Sequence, residues 1–219
     1  MNRRYLAYMS IVLALLSQGG VAEEAAVPAP AAVPAPGKIS LLERSQPSID
    51  PLADDDYGRM ARYGHELTVR TFAVIGPEVK NKNMRYSGNN LACASCHQEN
   101  ATKPFAIPWI GVTATFPQYR GREDNLSSVE DRVNGCMQRS MNGKPLPLDS
   151  REMRAFVTYI HFLSRGIPIG AEIEGSATKA IKVPDRRADL VAGQAVFKAQ
   201  CAACHGENGE GRRNGVKGD

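Results

Sequence analysis

The sequence predicts an all-α protein with two tandem units, of which the second is incomplete. Amphipathic segments recur along the chain after residue 50, and helix-start signals precede some of them. The motif C-x-x-C-H occurs twice, at 93–97 and 201–205, and a predicted helix leads into each copy. Only residues 206–219 follow the second copy, and they are rich in glycine and charge. Several further helices would be needed to complete the second unit.

The helix boundaries are predicted from capping and apolar patterns. Ser127 and Glu130 form a capping-box pattern that starts one helix, and Asn142-Gly143 should end it. In all, helices are predicted at 54–75, 127–141, 151–164 and 189–200. The residues expected to face inward on the helix at 151–164 are Met153, Phe156, Tyr159, Ile160 and Leu163.

The first 22 residues have the pattern of a cleaved secretory signal. Arg3 and Arg4 precede an uncharged apolar run at 5–16, and small residues follow up to Ala22. The run is shorter than the ~20 residues that span a bilayer, and no other segment is long and apolar enough, so no membrane span is expected in the mature chain. The predicted divisions are a signal peptide at 1–22, an Ala/Pro-rich linker at 23–50, a first unit at 51–170, a connector at 171–187 and the start of a second unit at 188–219.

The charge balance argues against a nucleic-acid partner. The formal net charge is +4 for the full chain, and it falls by two when Arg3 and Arg4 leave with the signal. So small a charge does not predict binding to nucleic acid, and any preference for anions must come from local clusters. The export signal places the mature protein in the periplasm.

Each C-x-x-C-H motif predicts a covalently attached haem c. The two thiols are spaced to form thioethers with two vinyl groups on one porphyrin edge, and the following imidazole lies under the iron. A structural zinc site would need four protein ligands, and thioredoxin-like chemistry would need a βαβ context that is absent. The two units are therefore predicted to be cytochrome c-like, with attachment through Cys93, Cys96, Cys201 and Cys204 and with His97 and His205 as proximal ligands.

The fifth cysteine, Cys136, lies among arginines. On a helix Arg132, Cys136 and Ser140 are spaced at i, i+4 and i+8 and share a face, which Arg139 flanks. Positive charge favours the thiolate form of cysteine, and a thiolate is both a strong haem ligand and a nucleophile. Cys136 is thus a candidate distal ligand of the first haem. The simpler alternatives are a buried, unreactive cysteine and an exposed thiol without a function.

Other side chains compete for the distal position. Met137 or Met141 as ligand would make the chain an ordinary electron carrier. His65 in the first helix is a weaker alternative, and His161 is expected to be a packing residue. Between the helices at 54–75 and 127–141, the proline-rich and aromatic segment 103–125 cannot be continuous helix, and it should cover the haem edge.

Residues 88–169 resemble the N-terminal domain of the dihaem thiosulfate dehydrogenases. The resemblance implies a periplasmic enzyme with two haems c that joins two thiosulfates into tetrathionate and passes the electrons to an acceptor c-type cytochrome. It also implies an unusual axial pair, His97 and Cys136, at the first haem. The family's second domain continues well beyond the end of this sequence. The segments that carry the resemblance are 91–97, 108–112, 116–122, 131–144 and 155–160.

A pocket for the thiosulfate dianion needs fixed cations and hydrogen-bond donors. Guanidinium groups offer forked donors suited to sulfonate oxygens. Arg132 and Ser140 rank first because helical spacing aligns them with Cys136, and Arg122 follows because a loop can reach the site. The candidate cations and hydrogen-bond donors in this part of the sequence are Arg122, Arg132, Arg139, Ser140 and Lys144.

Three other functions remain open from the residues. One is the haem subunit of a multi-enzyme sulfur-oxidising complex, which loads thiosulfate onto a carrier protein. Another is a non-catalytic electron-transfer cytochrome with a methionine ligand. The third is tetrathionate reduction, since the preferred direction depends on reduction potentials rather than on sequence.

Overall fold

The computed structural model describes residues 37–210, apart from the side chain of Cys204. The described residues all fall in one compact unit. The predicted signal peptide, residues 23–36 of the predicted linker and the glycine-rich end at 211–219 lie outside the described residues. No helix within 37–210 has both the length and the apolar character needed to cross a bilayer.

Helices form most of the secondary structure within 37–210, as predicted, with four short strands in addition. The helices are α1 (Asp56–Val69), α2 (Thr71–Val74), α3 (Gln98–Ala101), α4 (Val129–Gln138), α5 (Arg151–Ser164), α6 (Leu190–Gln200) and α7 (Ala202–His205). The strands are β1 (Lys38–Ser40), β2 (Gln118–Arg120), β3 (Asn125–Ser127) and β4 (Glu172–Glu174), and 3-10 turns lie at Lys82–Met84, Cys93–Ser95 and Val112–Ala114.

The first predicted helix is interrupted. Helix α1 begins after Asp55, whose side chain accepts a hydrogen bond from the amide of Gly58. It ends at Arg70, where φ is −132° and ψ is 34°, and the short helix α2 follows. On either side of the break the hydroxyl groups of Thr68 and Thr71 donate to carbonyls four residues earlier, at 2.7 and 2.6 Å. Such back-bonding bends helices, which explains why one continuous helix does not form.

Helix α5 carries the core and confirms its prediction. It begins and ends at the predicted residues, and its N-cap is Ser150, whose side chain accepts from the amide of Met153. Helix α1 packs against it, and Leu41, just after β1, joins the same core at 1% exposure. All five predicted inward residues are at most 3% exposed: Met153, Phe156, Tyr159, Ile160 and Leu163.

Gly64 lets α1 and α5 approach closely. A Cβ at this position would lie 2.1 Å from the carbonyl oxygen of Ala155 and 2.7 Å from Cβ of Tyr159. Replacing a helical glycine by alanine normally stabilises a helix by about 1 kcal/mol. Here the added Cβ would clash with the backbone of Ala155, which can move only if helix α5 moves with it. Gly64→Ala should therefore lower the free energy of unfolding by about 1–3 kcal/mol.

Gly193 offers the matched control for Gly64→Ala. It also lies inside a helix, α6, but an added Cβ would meet nothing within 4 Å. Gly193→Ala should therefore leave stability unchanged or raise it. Urea unfolding followed by circular dichroism would compare the two, and equal effects would contradict the close approach.

The strands form two separate pairs that the all-α prediction did not include. Strands β1 and β4 pair in parallel, and β2 and β3 form an antiparallel hairpin. The first pair joins the end of the predicted linker to the start of the predicted connector. Residues 38–41 are therefore part of the folded structure rather than a spacer.

Helix α4 differs from its prediction at both ends. Its capping box is formed by Ser128 and Asp131, one residue later than predicted, because Ser127 belongs to β3 and pairs with Gln118. It ends at Gln138, where carbonyls of its last turn accept from the amides at 141 and 143. The prediction that Ser140 lies on this helix is therefore wrong.

Helix α6 confirms the fourth predicted helix. Asp189 caps it, with its side chain accepting from the amide of Ala192 at 2.9 Å. None of its residues is buried, and Leu190 and Val191 are exposed. The helix leads directly into the second C-x-x-C-H motif, as the sequence predicts.

Candidate functional site

A cavity of about 330 Å³ opens between the first C-x-x-C-H motif and helix α4. Its walls are mostly apolar, which suits a flat hydrophobic group such as a porphyrin. Polar and sulfur-bearing side chains enter it at a few points. Among the residues that line it are Cys93, Cys96, His97, Trp109, Arg132 and Cys136.

The first motif forms a tight turn that α2 holds in place. The amide of His97 donates to the carbonyl of Cys93 at 2.9 Å, so the two cysteines and the histidine share one turn. The buried hydroxyl oxygen of Thr71 accepts from the amide of Cys93 at 3.1 Å and lies 3.5 Å from the Cys93 sulfur. Burial raises the pKa of the Cys93 thiol to about 11. The sequence contained no evident signal for this role of Thr71.

The ring of His97 is oriented as a metal ligand requires. Its Nδ1 lies 2.6 Å from the carbonyl oxygen of Ile107, so Nδ1 is the donor and Nε2 keeps its lone pair. The ring of Trp109 packs at 5.2 Å between centroids. Burial lowers the pKa of His97, which favours the neutral imidazole that binds a metal. These residues would fit a covalently attached haem, with His97 as a candidate ligand of its iron.

Cys136 lies on the α4 side of the same cavity. It is half-buried, and the Nη1 group of Arg132 donates to its sulfur at 2.9 Å. The Arg132 guanidinium is therefore placed to donate to whatever sulfur ligand or nucleophile Cys136 provides. The two competing methionines also border the cavity, but Met137 and Met141 are 1% and 4% exposed and pack in the core.

The structure places the other predicted site residues differently. Ser140 lines the cavity although it lies beyond the end of α4. Arg139 is exposed and donates to Glu123 at 2.9 Å, away from the cavity lining. Arg122 is exposed in the turn between β2 and β3, and it lines none of the cavities described. Lys144 lies over the ring of Tyr86, 4.9 Å from its centre.

Arg120 is a cavity residue that the sequence analysis did not select. It lies on strand β2, and both it and Gln118 border the cavity. Residues two apart on a strand face the same side, so alternation along 118–120 was the signal that could have identified it. The cavity therefore has two arginines from different elements, Arg120 and Arg132.

The histidines outside the two motifs lie away from the cavity lining. His65 packs its ring edge against Tyr159 at 5.5 Å, and burial lowers its pKa. His161 is exposed, and its ring nitrogen lies 2.9 Å from the hydroxyl of Tyr57. The structure gives neither side chain a place opposite His97.

The second motif shares one backbone hydrogen bond with the first, although Ala202–His205 is an α-helix where Cys93–Ser95 is a 3-10 turn. The amide of His205 donates to the carbonyl of Cys201 at 2.9 Å, the same bond and length as between His97 and Cys93. Helix α6 delivers Cys201 at its C-terminal end. The imidazole of His205 is exposed within the described part of the chain.

Comparisons with known proteins identify related families and sequences. The family model "SoxA/TsdA, cytochrome c domain" matches residues 83–169, and the model "Cytochrome c" matches residues 190–217. The thiosulfate dehydrogenase of Psychrobacter arcticus is 33% identical over 92% of this chain and 58% of its own length. That of Stutzerimonas stutzeri is 32% identical over 94% of this chain and 66% of its own length.

A solved structure shows the same fold. The thiosulfate dehydrogenase TsdBA from Marichromatium purpuratum, in its as-isolated form, has a TM-score of 0.60 and 28% identity. The likeness covers 77% of this chain and 36% of that chain. This chain thus spans about three-fifths of the length of the curated relatives quoted above. Both matching family models are cytochrome c models, so the bound cofactor is haem c.

Proposed function

Because residues 83–169 belong to the SoxA/TsdA cytochrome c domain family, we propose that this chain oxidises two thiosulfates to tetrathionate. It acts in the periplasm after removal of the signal at 1–22, carries two haems c and passes electrons to an acceptor c-type cytochrome. Its relatives named thiosulfate dehydrogenase support this assignment. They are longer than this chain, so the activity has to be tested on the chain itself.

The haem-binding roles follow the two motifs. Cys93 and Cys96 would hold the first haem and Cys201 and Cys204 the second, with His97 and His205 as proximal ligands. Cys136 would be the distal ligand of the first haem. The bound haems would supply redox chemistry, taking up the two electrons that formation of a sulfur–sulfur bond releases.

One observation carries the proposal. The Nη1 group of Arg132 donates to the sulfur of Cys136 at 2.9 Å, at a cavity that His97 also lines. A thiolate beside a fixed guanidinium is suited both to bind iron and to attack sulfur. A simple electron carrier has no need of such a pair, and its methionine ligand would have to come from the packed core.

The chain's own residues can carry out the sulfur chemistry in two steps. The Cys136 thiolate forms a bond with the sulfane sulfur of the first thiosulfate, and two electrons leave. A second thiosulfate then attacks that sulfane sulfur, tetrathionate departs and Cys136 is again a thiolate. Arg132, Arg120 and Ser140 would bind the sulfonate oxygens and orient both anions.

The test is turnover without partners. The purified chain, loaded with haem, would be mixed with thiosulfate and ferricyanide, and tetrathionate would be measured directly. We expect one tetrathionate for every two ferricyanides reduced. Thiosulfate consumption only in the presence of a carrier protein would indicate the sulfur-oxidising complex instead. If other electron donors reduce the haem but thiosulfate does not, the result would indicate an electron-transfer cytochrome.

A further inference from the structure

A second cavity adjoins the one described above, and a larger share of its lining is polar. It has a volume of about 470 Å³, and it shares Arg120 and Arg132 with the haem-side cavity. The two arginines therefore border both spaces. Arg139 and two acidic residues, Glu123 and Asp131, also line this second space. We refer to it as the polar cavity.

Glu123 bridges two of these arginines. One carboxylate oxygen accepts from Nε of Arg120 at 3.3 Å, and the other accepts from Nη2 of Arg139 at 2.9 Å. The other acid, Asp131, is engaged in the capping box of α4 with Ser128. Glu123 is thus the acid whose carboxylate accepts from the guanidinium groups of Arg120 and Arg139 in the polar cavity.

The charge of Glu123 resembles that of the proposed substrate. A carboxylate and a sulfonate both present oxygens that two guanidinium groups can bind from opposite sides. Partial burial raises the pKa of Glu123, but hydrogen bonds from Arg120 and Arg139 together with their charges bring it below the usual value. The Glu123 carboxylate is therefore an anion at neutral pH, where thiosulfate is a dianion.

We propose that the polar cavity is an anion subsite for thiosulfate, in which the Glu123 carboxylate competes with the incoming dianion for Arg120 and Arg139. This inference rests on the proposed function. A dianion gains more from the arginines than a monoanion does, so it displaces Glu123 more readily. The free-energy cost of displacing Glu123 is the same for every anion, so Glu123 lowers the affinity of each by the same factor. Appreciable binding is then left to the dianion, which the arginines attract most strongly.

The experiment compares Glu123→Gln with Asp124→Asn in the haem-loaded chain. The neighbouring Asp124 loses the same charge, but its partner is the hydroxyl of Tyr119 rather than an arginine. Binding would be measured by calorimetry with sulfate, a dianion that the enzyme does not oxidise, and with nitrate, at constant ionic strength. The KM for thiosulfate would be measured in the ferricyanide assay.

We expect Glu123→Gln to lower the Kd for sulfate and the KM for thiosulfate by about fivefold, the effect of removing an exposed ion pair at the upper end of its range. Its kcat should change little, since binding rather than chemistry is altered. Nitrate binding should strengthen by about the same factor, and Asp124→Asn should match the wild type.

Two results would overturn the inference. Weaker sulfate binding in Glu123→Gln would mean that the carboxylate orients the arginines instead of competing for them. Equal binding in the two variants would mean that Glu123 has no part in anion selection. Absence of thiosulfate turnover in the wild type would defeat the proposed function, while the sulfate titration would still decide the role of Glu123.

Discussion

Replacing Cys136 by serine is expected to lower the rate of tetrathionate formation by about 10³-fold or more, while both haems stay attached. The serine hydroxyl is a far weaker nucleophile than a thiolate and a poor iron ligand. The proposed haem attachments, at Cys93, Cys96, Cys201 and Cys204, do not involve position 136. Haem content measured beside the tetrathionate assay would separate a chemical loss from a failure of maturation.

Cys136→Met separates the two roles of the sulfur. Methionine can bind iron but cannot form a sulfur–sulfur adduct, so activity should remain lost. Methionine ligation raises the reduction potential relative to thiolate, by about 100 mV or more of the ~0.8 V that axial ligands span. Potentiometric titration of the first haem would detect the change.

The competing methionines supply the control. Met137→Leu and Met141→Leu nearly conserve volume in the core and should cost little stability. Neither should change the reduction potential or the rate if Cys136 is the ligand. A shift in either leucine variant, together with an unchanged potential in Cys136→Ser, would make the chain a methionine-ligated electron carrier.

Local signals were enough for the motif turns and for helices α5 and α6. The spacing of C-x-x-C-H is set by covalent chemistry, so its turn does not depend on distant contacts. Helix α5 combines a strong apolar stripe with a serine cap, and α6 begins at a clear aspartate cap. Their boundaries could therefore be predicted from neighbouring residues alone.

Helix α4 shows why its ends could not be predicted. Two successive serines, Ser127 and Ser128, each have an acid three residues later, so the capping pattern fits both. Strand pairing decides between them, because Ser127 is held opposite Gln118 in the β2–β3 hairpin. The same pairing decides which arginine reaches the cavity. Arg120 lies on the strand, whereas Arg122 lies in the turn.

The pairing of β1 with β4 could not be predicted from neighbouring residues either. Lys38 pairs with Glu172, so most of the described sequence lies between the two strands. Each strand has only three residues. So short a strand carries little periodicity of its own. The prediction of a linker at 23–50 rests mainly on the Ala/Pro composition of 23–36. The buried Leu41 shows that part of the chain before residue 51 belongs to the folded core.

Arg132→Gln should lower kcat/KM for thiosulfate by about 100-fold. The substitution removes the charged donor at 2.9 Å from the Cys136 sulfur and a cation that borders both cavities. A hydrogen bond to a charged group contributes about 1.5–3 kcal/mol, and each 1.4 kcal/mol corresponds to a factor of ten. Arg132→Lys keeps the charge but loses the forked donor, so its loss should be intermediate.

The reduction potential tells a chemical role of Arg132 from a structural one. A hydrogen bond to a ligating sulfur withdraws electron density from it, so Arg132→Gln should lower the potential of the first haem as well as the rate. Arg154→Gln is the matched control, since Arg154 is an exposed arginine on α5 that lies outside both cavities. If Arg132→Gln lost thermal stability but kept the wild-type potential, Arg132 would only support the fold. The sulfur of Cys136 would then depend on some other group for its charge.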